Sequence, residues 1–476
     1  MESESLIEWG LEIPRDYYVD MEEIMKVIIA GYGKVGAAIV RQLSSEGYDL
    51  TLIDSKQEVL DSTLDQYDIM TVTGNCATMN VLEEAGISDA KLLIAATSAD
   101  EINLLCCLTA HTLNPHIHTI ARIRNPEYSE QIFKMSGAFA LSLVVNPEKQ
   151  AAHQMERLLK LPGFLKRESF AKDRVEIVEL RINVKSRLNG VALSNLDSII
   201  KCKVLVCAVL RKGQAIMPDG NFVFQEDDRV FVTAPTNELA VLLKNLDIIT
   251  HKVNHVMIAG GGRAGYYLAS KLIRSGIHVQ IIEKDRERCE ELADLLPSAD
   301  IICGDASNHS ILESEGISNC DALVSMTGLD EINIIISLFA NDIGVPQVIT
   351  KIGHFENTEI LDPLPIGSVI CPKDLCCNTI VRYVRAIHNQ SGAAVSVHSI
   401  ANGLAEAVEF VADSNTRNCG IPLRNLHLKK GTLIVCITHN GKTEIPSGDS
   451  SFEVGDTVII VTKADRVLLQ LNDIFE

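Results

Sequence analysis

Three glycines carry the first chemical signal in this chain. Gly31, Gly33 and Gly36 form a G-x-G-x-x-G turn, with Tyr32, Lys34 and Val35 between them. An apolar run from Lys26 to Ala30 enters the turn, and an apolar-periodic segment from Val35 to Leu43 leaves it. That order predicts strand, tight turn and helix. In such a turn the first glycine permits the bend, the second lets a pyrophosphate approach the backbone, and the third lets the helix pack on the strand. The free N–H groups of the helix's first turn then face the phosphate. Asp54 ends the next apolar run, Leu50 to Ile53, at the spacing where a carboxylate takes ribose hydroxyls. A carboxylate there repels a 2′-phosphate, which favours NAD(H) over NADP(H). ATP or ADP presents the same adenosine ribose, so the residues leave that choice open.

The constellation occurs twice. Gly260, Gly261, Gly262, Arg263, Ala264 and Gly265 repeat the turn, and Glu283 ends the run Val279 to Ile282 as Asp54 does. Gly31 and Gly260 are 229 residues apart, and so are Asp54 and Glu283. Downstream, Gly74 and Asn75 match Gly304 and Asp305. Thr97 with Asp100-Glu101-Ile102-Asn103 matches Thr327 with Asp330-Glu331-Ile332-Asn333. Pro218 and Asp228 match Pro446 and Asp456. A period this long is no solenoid repeat; it means two copies of a domain pair.

Further candidates lie at strand ends. Lys34 and Arg263 hold the same place in the two turns, facing either phosphate or water. Asn75 and Asp305 end the third strand, where an adenine edge would lie. Thr97 and Thr327 end the fourth strand, in the crevice outside the strand carboxyl ends, with N-capping of the next helix as the alternative. Arg122 and Lys351 end the fifth strand, placed either for ligand phosphates or for surface ion pairs. His111, His116 and His118 have no acid or cysteine at ligand spacing, which argues against a metal. No nucleophile elbow, P-loop or metal signature is present.

These residues need elements to position them. From Met25 onward, two-sided apolar strands alternate with helices, which implies a parallel, doubly wound sheet. Pro147 and Pro372 each open a further helix, and the first is placed to cross to a neighbouring domain. Short alternating strands then follow, with turn signals at Lys212-Gly213 and Pro218-Asp219-Gly220. The expected fold is α/β: two tandem repeats, each a Rossmann-like doubly wound parallel sheet followed by a small α+β C-lobe. The expected units are residues 25–162 and 163–250, then 251–392 and 393–476. Residues 1–24, which contain Trp9, have no counterpart in the second half and read as a mobile extension or as the result of an early start codon, with Met25 the alternative start.

Composition narrows the function. A net charge of −20 without any Lys/Arg run argues against nucleic acid or anionic lipid as the main partner. No apolar run reaches membrane-spanning length and no signal peptide is evident, so a soluble cytoplasmic protein is expected. Of thirteen cysteines without C-x-x-C spacing most, such as Cys106, Cys107 and Cys436, lie in apolar runs and read as buried, reduced thiols.

The duplicated order of glycine turn, acidic strand end, G-[ND]-x, A-x-T and D-E-x-N, then a small module ending in Glu226-Asp227-Asp228-Arg229-Val230 or Val454-Gly455-Asp456-Thr457-Val458, resembles the RCK/KTN potassium-conductance regulators. Within them it is most similar to the peripheral NAD-binding subunits of Trk potassium-uptake systems. The resemblance runs from about Met25 to Glu476. It implies a non-catalytic regulator that forms a homo-oligomeric ring, a tetramer of chains. The ring would sit on the cytoplasmic face of a membrane-embedded Trk-type potassium pore subunit, with nucleotide gating potassium entry. Carried over by position, the nucleotide ligands are Tyr32 to Gly36, Asp54, Gly74, Asn75, Thr97 and Arg122. In the second half they are Gly260 to Gly265, Glu283, Gly304, Asp305 and Lys351. Asn75 stands where the second half has Asp305, so the two sites are expected to differ. The rival readings are an NAD-dependent oxidoreductase with duplicated Rossmann domains, and a scaffold whose turns bind nothing. The small modules lack a His or Lys base suited to a substrate domain, which weighs against the oxidoreductase.

Overall fold

The computed structural model describes residues 25–171, 174–248, 252–353, 361, 364–388, 394–466 and 468–476. The extension 1–24 and Trp9 lie outside the described residues. The first half alternates β1 (Lys26–Ala30), α1 (Lys34–Ser45), β2 (Asp49–Asp54), α2 (Gln57–Leu64), β3 (Met70–Thr73), α3 (Met79–Glu84), β4 (Leu92–Ala95), α4 (Asp100–Leu113), β5 (His118–Arg122), α5 (Pro126–Met135) and β6 (Leu143–Val145). All six strands pair in parallel, in the order β3-β2-β1-β4-β5-β6. Val27 to Ala30 are completely buried, as a strand covered by helices on both faces must be. The order reverses between β1 and β4, and a crevice opens there beyond the strand carboxyl ends.

The helix α6 (Pro147–Lys160) leads to β7 (Lys166–Phe170), β8 (Val175–Arg181), α7 (Leu196–Ile200), β9 (Leu205–Arg211), β10 (Gln214–Ile216), β11 (Arg229–Pro235) and α8 (Leu239–Asn245). These strands form an antiparallel sheet in the order β10-β9-β11-β8-β7. The alternation pattern does not reveal β7. Its residues Lys166, Arg167, Glu168 and Ser169 are polar, yet Arg167 is buried in a bidentate pair with Glu176, at 2.8 and 2.9 Å.

The second half repeats the plan with β12 (His255–Ala259), α9 (Arg263–Arg274), β13 (His278–Glu283), α10 (Arg286–Leu295), β14 (Asp300–Cys303), α11 (His309–Ser314), β15 (Ala322–Ser325), α12 (Asp330–Ile343), β16 (Gln347–Lys351) and β17 (Ser368–Ile370). Its parallel order, β14-β13-β12-β15-β16-β17, matches the first sheet. After α13 (Pro372–His388) come β18 (Ala394–Ile400), β19 (Ala405–Val411), β20 (Thr432–His439), β21 (Lys442–Glu444) and β22 (Thr457–Lys463). They form a second antiparallel sheet in the order β18-β19-β22-β20-β21.

The halves are interlocked. The helix α6 ends the first Rossmann unit but packs on α9 of the second, and α13 returns the exchange by packing on α1. Asn146 caps α6 by accepting from the Lys149 N–H at 2.8 Å, which frees Pro147 for the first turn. One apolar core therefore joins Met155 and Leu158 of α6 to Leu268 and Leu272 of α9 and to Val178 and Val230 of the first C-lobe. Another joins Val27 and Ile39 to Ile380 and Val384 of α13. The two antiparallel sheets also share a core, with Phe170, Cys207 and Phe231 against Ala407, Cys436 and Ile459.

Candidate functional site

The glycine turn is built by close contact. Gly31 has φ +97°, and a Cβ there would lie 2.9 Å from the Thr97 Cα. A Cβ on Gly36 would lie 1.9 Å from the Gly31 carbonyl oxygen, so neither position tolerates a side chain. Gly33 is different: nothing lies within 4 Å of its ideal Cβ. It is the N-cap of α1, with no side-chain cap and no acid in the first turn. The orphan N–H groups of that helix therefore open onto free space, as an anion site requires. Gly260, Gly262 and Gly265 repeat the three roles. Gly260 has φ +114°, Gly262 is open, and a Cβ on Gly265 would lie 2.4 Å from the Gly260 oxygen.

The acidic strand ends hold the turns as well as facing them. The Asp54 carboxylate accepts the Tyr32 N–H at 2.8 Å and the Lys56 N–H at 3.0 Å. Glu283 does the same with Gly261 at 2.7 Å and Asp285 at 3.0 Å.

The ends of β4 and β5 are joined by the side chain of Asn103. The buried Asn103 accepts from the Thr97 N–H at 2.8 Å and from its hydroxyl at 2.7 Å, and donates to the Arg122 carbonyl at 2.8 Å. Asn333 ties Thr327 to Lys351 in the same way, at 2.7, 2.8 and 3.0 Å. Thr97 is thus no N-cap: Ala99 occupies that position, without a capping side chain. Asp100 accepts the N–H groups of Arg124 and Asn125 at 2.8 Å each, and Asp330 accepts that of Gly353 at 2.9 Å. The recurrence of D-E-x-N in both halves was the available signal for this scaffold.

Arg122 and Lys351 are not surface ion pairs. Arg122 is 9% exposed and donates through Nη2 to the Thr97 carbonyl, while its Nε is buried without a partner among the described residues. The Lys351 ammonium donates to the Thr327 carbonyl at 2.6 Å and the Met326 carbonyl at 3.3 Å. Burial pushes the Lys351 pKa below its ordinary value; the nearby Asp330 pulls it back up, and Lys34 presses it further down. Burial, with Arg124 beside it, likewise lowers Arg122.

These groups share one cleft of about 880 Å³. It brings together Gly31 to Val35, Asp54, Gly74, Asn75, Thr97 and Arg122 of the first half with Gly262 to Gly265 and Lys351 of the second. Gly36, Gly260, Gly261, Glu283, Gly304 and Asp305 do not line it. The cleft's charged residues are Lys34, Lys56, Arg122, Arg124, Arg263, Lys351 and Lys373 against only Asp54 and Glu148. In a chain of net charge −20 that excess of cations makes the cleft locally positive. Lys34 crosses between the halves, with its ammonium 3.9 Å from the ideal Cβ of Gly353. Arg263 of the second turn lines the same cleft as Arg122 and Glu148 of the first half. Both cations of the turns line the cleft, and both are also exposed to solvent.

The second half differs beside its acid. Val59 of α2 lines the cleft next to Asp54. Arg288 stands at that position of α10, 229 residues on, and donates from Nε to the Gly261 carbonyl at 2.8 Å. The Asn75 side chain accepts from Ala77 at 3.1 Å, and that of Asp305 from Ser307 at 2.9 Å. Both side-chain oxygens brace their own loop. The Ser307 bonds hold the Asp305 pKa below the ordinary range.

Comparison with known proteins agrees with this architecture. The TrkA-N domain family matches residues 27–147 and 256–372, and the TrkA-C domain family matches 177–247 and 407–474. The Trk system potassium uptake protein TrkA of Vibrio alginolyticus is 31% identical over 459 residues, spanning 95% of this chain and 99% of that protein. Its counterpart in Halomonas elongata is 30% identical over 461 residues, with the same coverage. Among solved structures, the GsuK RCK domain superposes with TM-score 0.60 at 17% identity, over 93% of each chain. The GsuK channel bound to NAD gives 0.59 at 17% identity, over 95% of this chain and 80% of that one. At that identity the likeness is one of fold.

Proposed function

The chain belongs to the TrkA family of Trk potassium-uptake proteins, and on that premise we propose that it is a nucleotide-binding regulatory subunit of a Trk-type uptake system. The observation that carries the reading is the cation-rich cleft shared by the two glycine turns. Its ligand is NAD(H), with ATP or ADP offering the same ribose and phosphate contacts. The ribose would meet Asp54, held in place by the Tyr32 and Lys56 N–H groups. The phosphates would meet the open α1 N-terminus, Arg122 and the second half's Arg263. The unpartnered Arg122 Nε and the free space at Gly33 suit a phosphate oxygen. Among the described residues no histidine lines the cleft, and the lining cations tie strand ends or face the anion site, which supports sensing over turnover. No described helix is long and apolar enough to cross a membrane, so pore gating requires a partner. In this reading a ring of chains docks on the cytoplasmic face of a potassium pore subunit. Nucleotide shifts the ring only as far as it prefers one state over the other.

The test is potassium flux through the co-reconstituted pore subunit in liposomes, with and without NADH, NAD⁺, ATP or ADP. A nucleotide-dependent change that disappears in the Asp54→Ala, Glu283→Ala double variant is expected. Binding without any change in flux would break the link to transport. NADH consumption with a panel of small substrates would instead favour the oxidoreductase.

A further inference from the structure

Beside the second half's acid lie two thiols. The Cys289 thiol on α10 donates to the Glu283 carbonyl at 3.2 Å. The same carbonyl accepts the Gly304 N–H at 2.8 Å, so the Cys289 sulfur sits against the Cys303–Gly304 peptide. Cys303 is the register partner of Glu283 across the parallel β13–β14 pair, one strand spacing away. The two sulfurs interact: burial, then the Cys303 thiol, push Cys289 up to about 11. Of the thirteen cysteines, Cys303 alone is exposed, whereas Cys289 is buried. The pair has no equivalent in the first half. The helices α2 and α10 start 229 residues apart, which puts Leu60 at the place of Cys289, and Thr73 ends β3 where Cys303 ends β14.

The geometry points to Cys289 and Cys303 as a peroxide-oxidisable dithiol that alters nucleotide binding in the second half. The coupling rests on the reading of Glu283 as a ribose ligand; the dithiol does not. Cys303 faces solvent and meets the oxidant first. Its thiolate sulfur attacks hydrogen peroxide, forming an S–O bond and breaking the O–O bond. Hydroxide leaves and takes up the thiol's proton as water. The Cys289 sulfur then attacks the Cys303 sulfur of the sulfenic acid. The S–S bond forms, the S–O bond breaks, and the second hydroxide leaves as water with the Cys289 proton. Two thiols and one peroxide yield a disulfide and two waters, with two electrons passing from the sulfurs to the peroxide.

The bond would reach the site by a short route. Drawing Cys289 towards Cys303 removes its thiol from the Glu283 carbonyl. It also moves the first turn of α10, whose Arg288 holds the Gly261 carbonyl. Gly261 in turn donates to the Glu283 carboxylate at 2.7 Å. Acid and glycine turn are therefore both displaced.

The experiment uses the full chain in two arms. In the first, protein treated with equimolar hydrogen peroxide is digested without reduction and mapped by mass spectrometry. A linked Cys289–Cys303 peptide is expected, reversed by dithiothreitol and absent in Cys303→Ser. Oxidised Cys303 with Cys289 still a free thiol would overturn the pair. In the second, NADH is titrated into the Asp54→Ala variant, which isolates the second half, before and after oxidation. An affinity change of about fivefold or more is expected, lost when Cys303→Ser is added. Equal affinity in both redox states would overturn the coupling. Reduced Asp54→Ala protein that takes up no NADH would sink the second-site reading and the coupling together, while the linked peptide still decides the dithiol.

Discussion

At the scale of single residues, the site works by giving each side chain two tasks. Asp54 holds the glycine turn through two backbone N–H groups and keeps a carboxylate edge in the cleft. Asp54→Ala should therefore weaken NADH binding at the first half roughly 10- to 100-fold, the worth of a charge-assisted hydrogen bond of about 1.5–3 kcal/mol. Calorimetric titration reads this directly, and unchanged affinity would remove Asp54 from the site. Lys351 allows a pH test. Burial lowers its pKa below the ordinary 10.5, so the folded chain binds fewer protons there than the unfolded chain. Its contribution to stability consequently rises with pH between the lowered value and 10.5, where the unfolded chain still holds the proton. Anion binding has the opposite slope, because a phosphate needs the ammonium. Nucleotide affinity should fall as pH rises through the lowered value, and Lys351→Met should flatten that dependence in titrations across the alkaline range.

Elements place these residues, and the exchange of α6 and α13 is the decisive packing event. The seam between α13 and α1 contains Arg385 paired bidentately with Glu46, at 2.9 and 2.6 Å, both side chains almost wholly buried. Burial, with the Glu46 charge beside it, raises the Tyr48 pKa to about 12. Removing one partner of such a pair leaves a buried charge uncompensated, at a cost of about 3–5 kcal/mol. Arg385→Ala should lose that much in urea denaturation, whereas Glu290→Ala, which breaks the exposed Arg286–Glu290 pair, should change almost nothing. A small effect at Arg385 would mean that α13 is not held by this contact.

The same scale shows what was legible in the chain. The parallel sheets could be read because glycine turn, acid and D-E-x-N recur at a near-constant offset, and because two-sided burial writes continuous apolar strands. The strand β7 could not, since its charges are satisfied only in the folded chain, Arg167 by Glu176 of β8 and Glu168 by His398 of β18. The exchange of helices was only half visible: Pro147 announces a helix, but an apolar face does not say which half it covers. Asn103 was visible as a repeated residue, yet its clamp between β4 and β5 depends on two strand ends meeting in space. Of the candidate ligands, the cleft collects the first half's set apart from Gly36 and only part of the second's, and beside Glu283 the second half has Arg288 where the first has Val59. That substitution was readable from the offset, but its bond to the Gly261 carbonyl was not.

For the whole molecule, the shared cleft makes the two halves one electrostatic unit. Lys34 belongs to the first turn and lies against Gly353 of the second half, while Arg263 belongs to the second turn and lines the same cleft as Arg122. Each nucleotide would therefore draw on cations that the other also needs. The first to bind neutralises part of the charge and places its own phosphates near the vacant half. Both effects oppose the second binding step. At low salt the second nucleotide should bind about tenfold more weakly than the first, a coupling of about 1.4 kcal/mol. Because part of this repulsion passes through solvent-accessible space, the gap should narrow as the Debye length falls from about 10 Å at 0.1 M salt towards 3 Å at 1 M. Lys34→Ala should reduce the gap while leaving the Asp54 contact intact, since it removes the cation that lies across the seam. Equilibrium dialysis of NADH at two salt concentrations, on the parent chain and on Lys34→Ala, measures both. Two independent sites of equal affinity at low salt would show that the seam insulates the halves, and communication would then have to run through the exchanged helices alone.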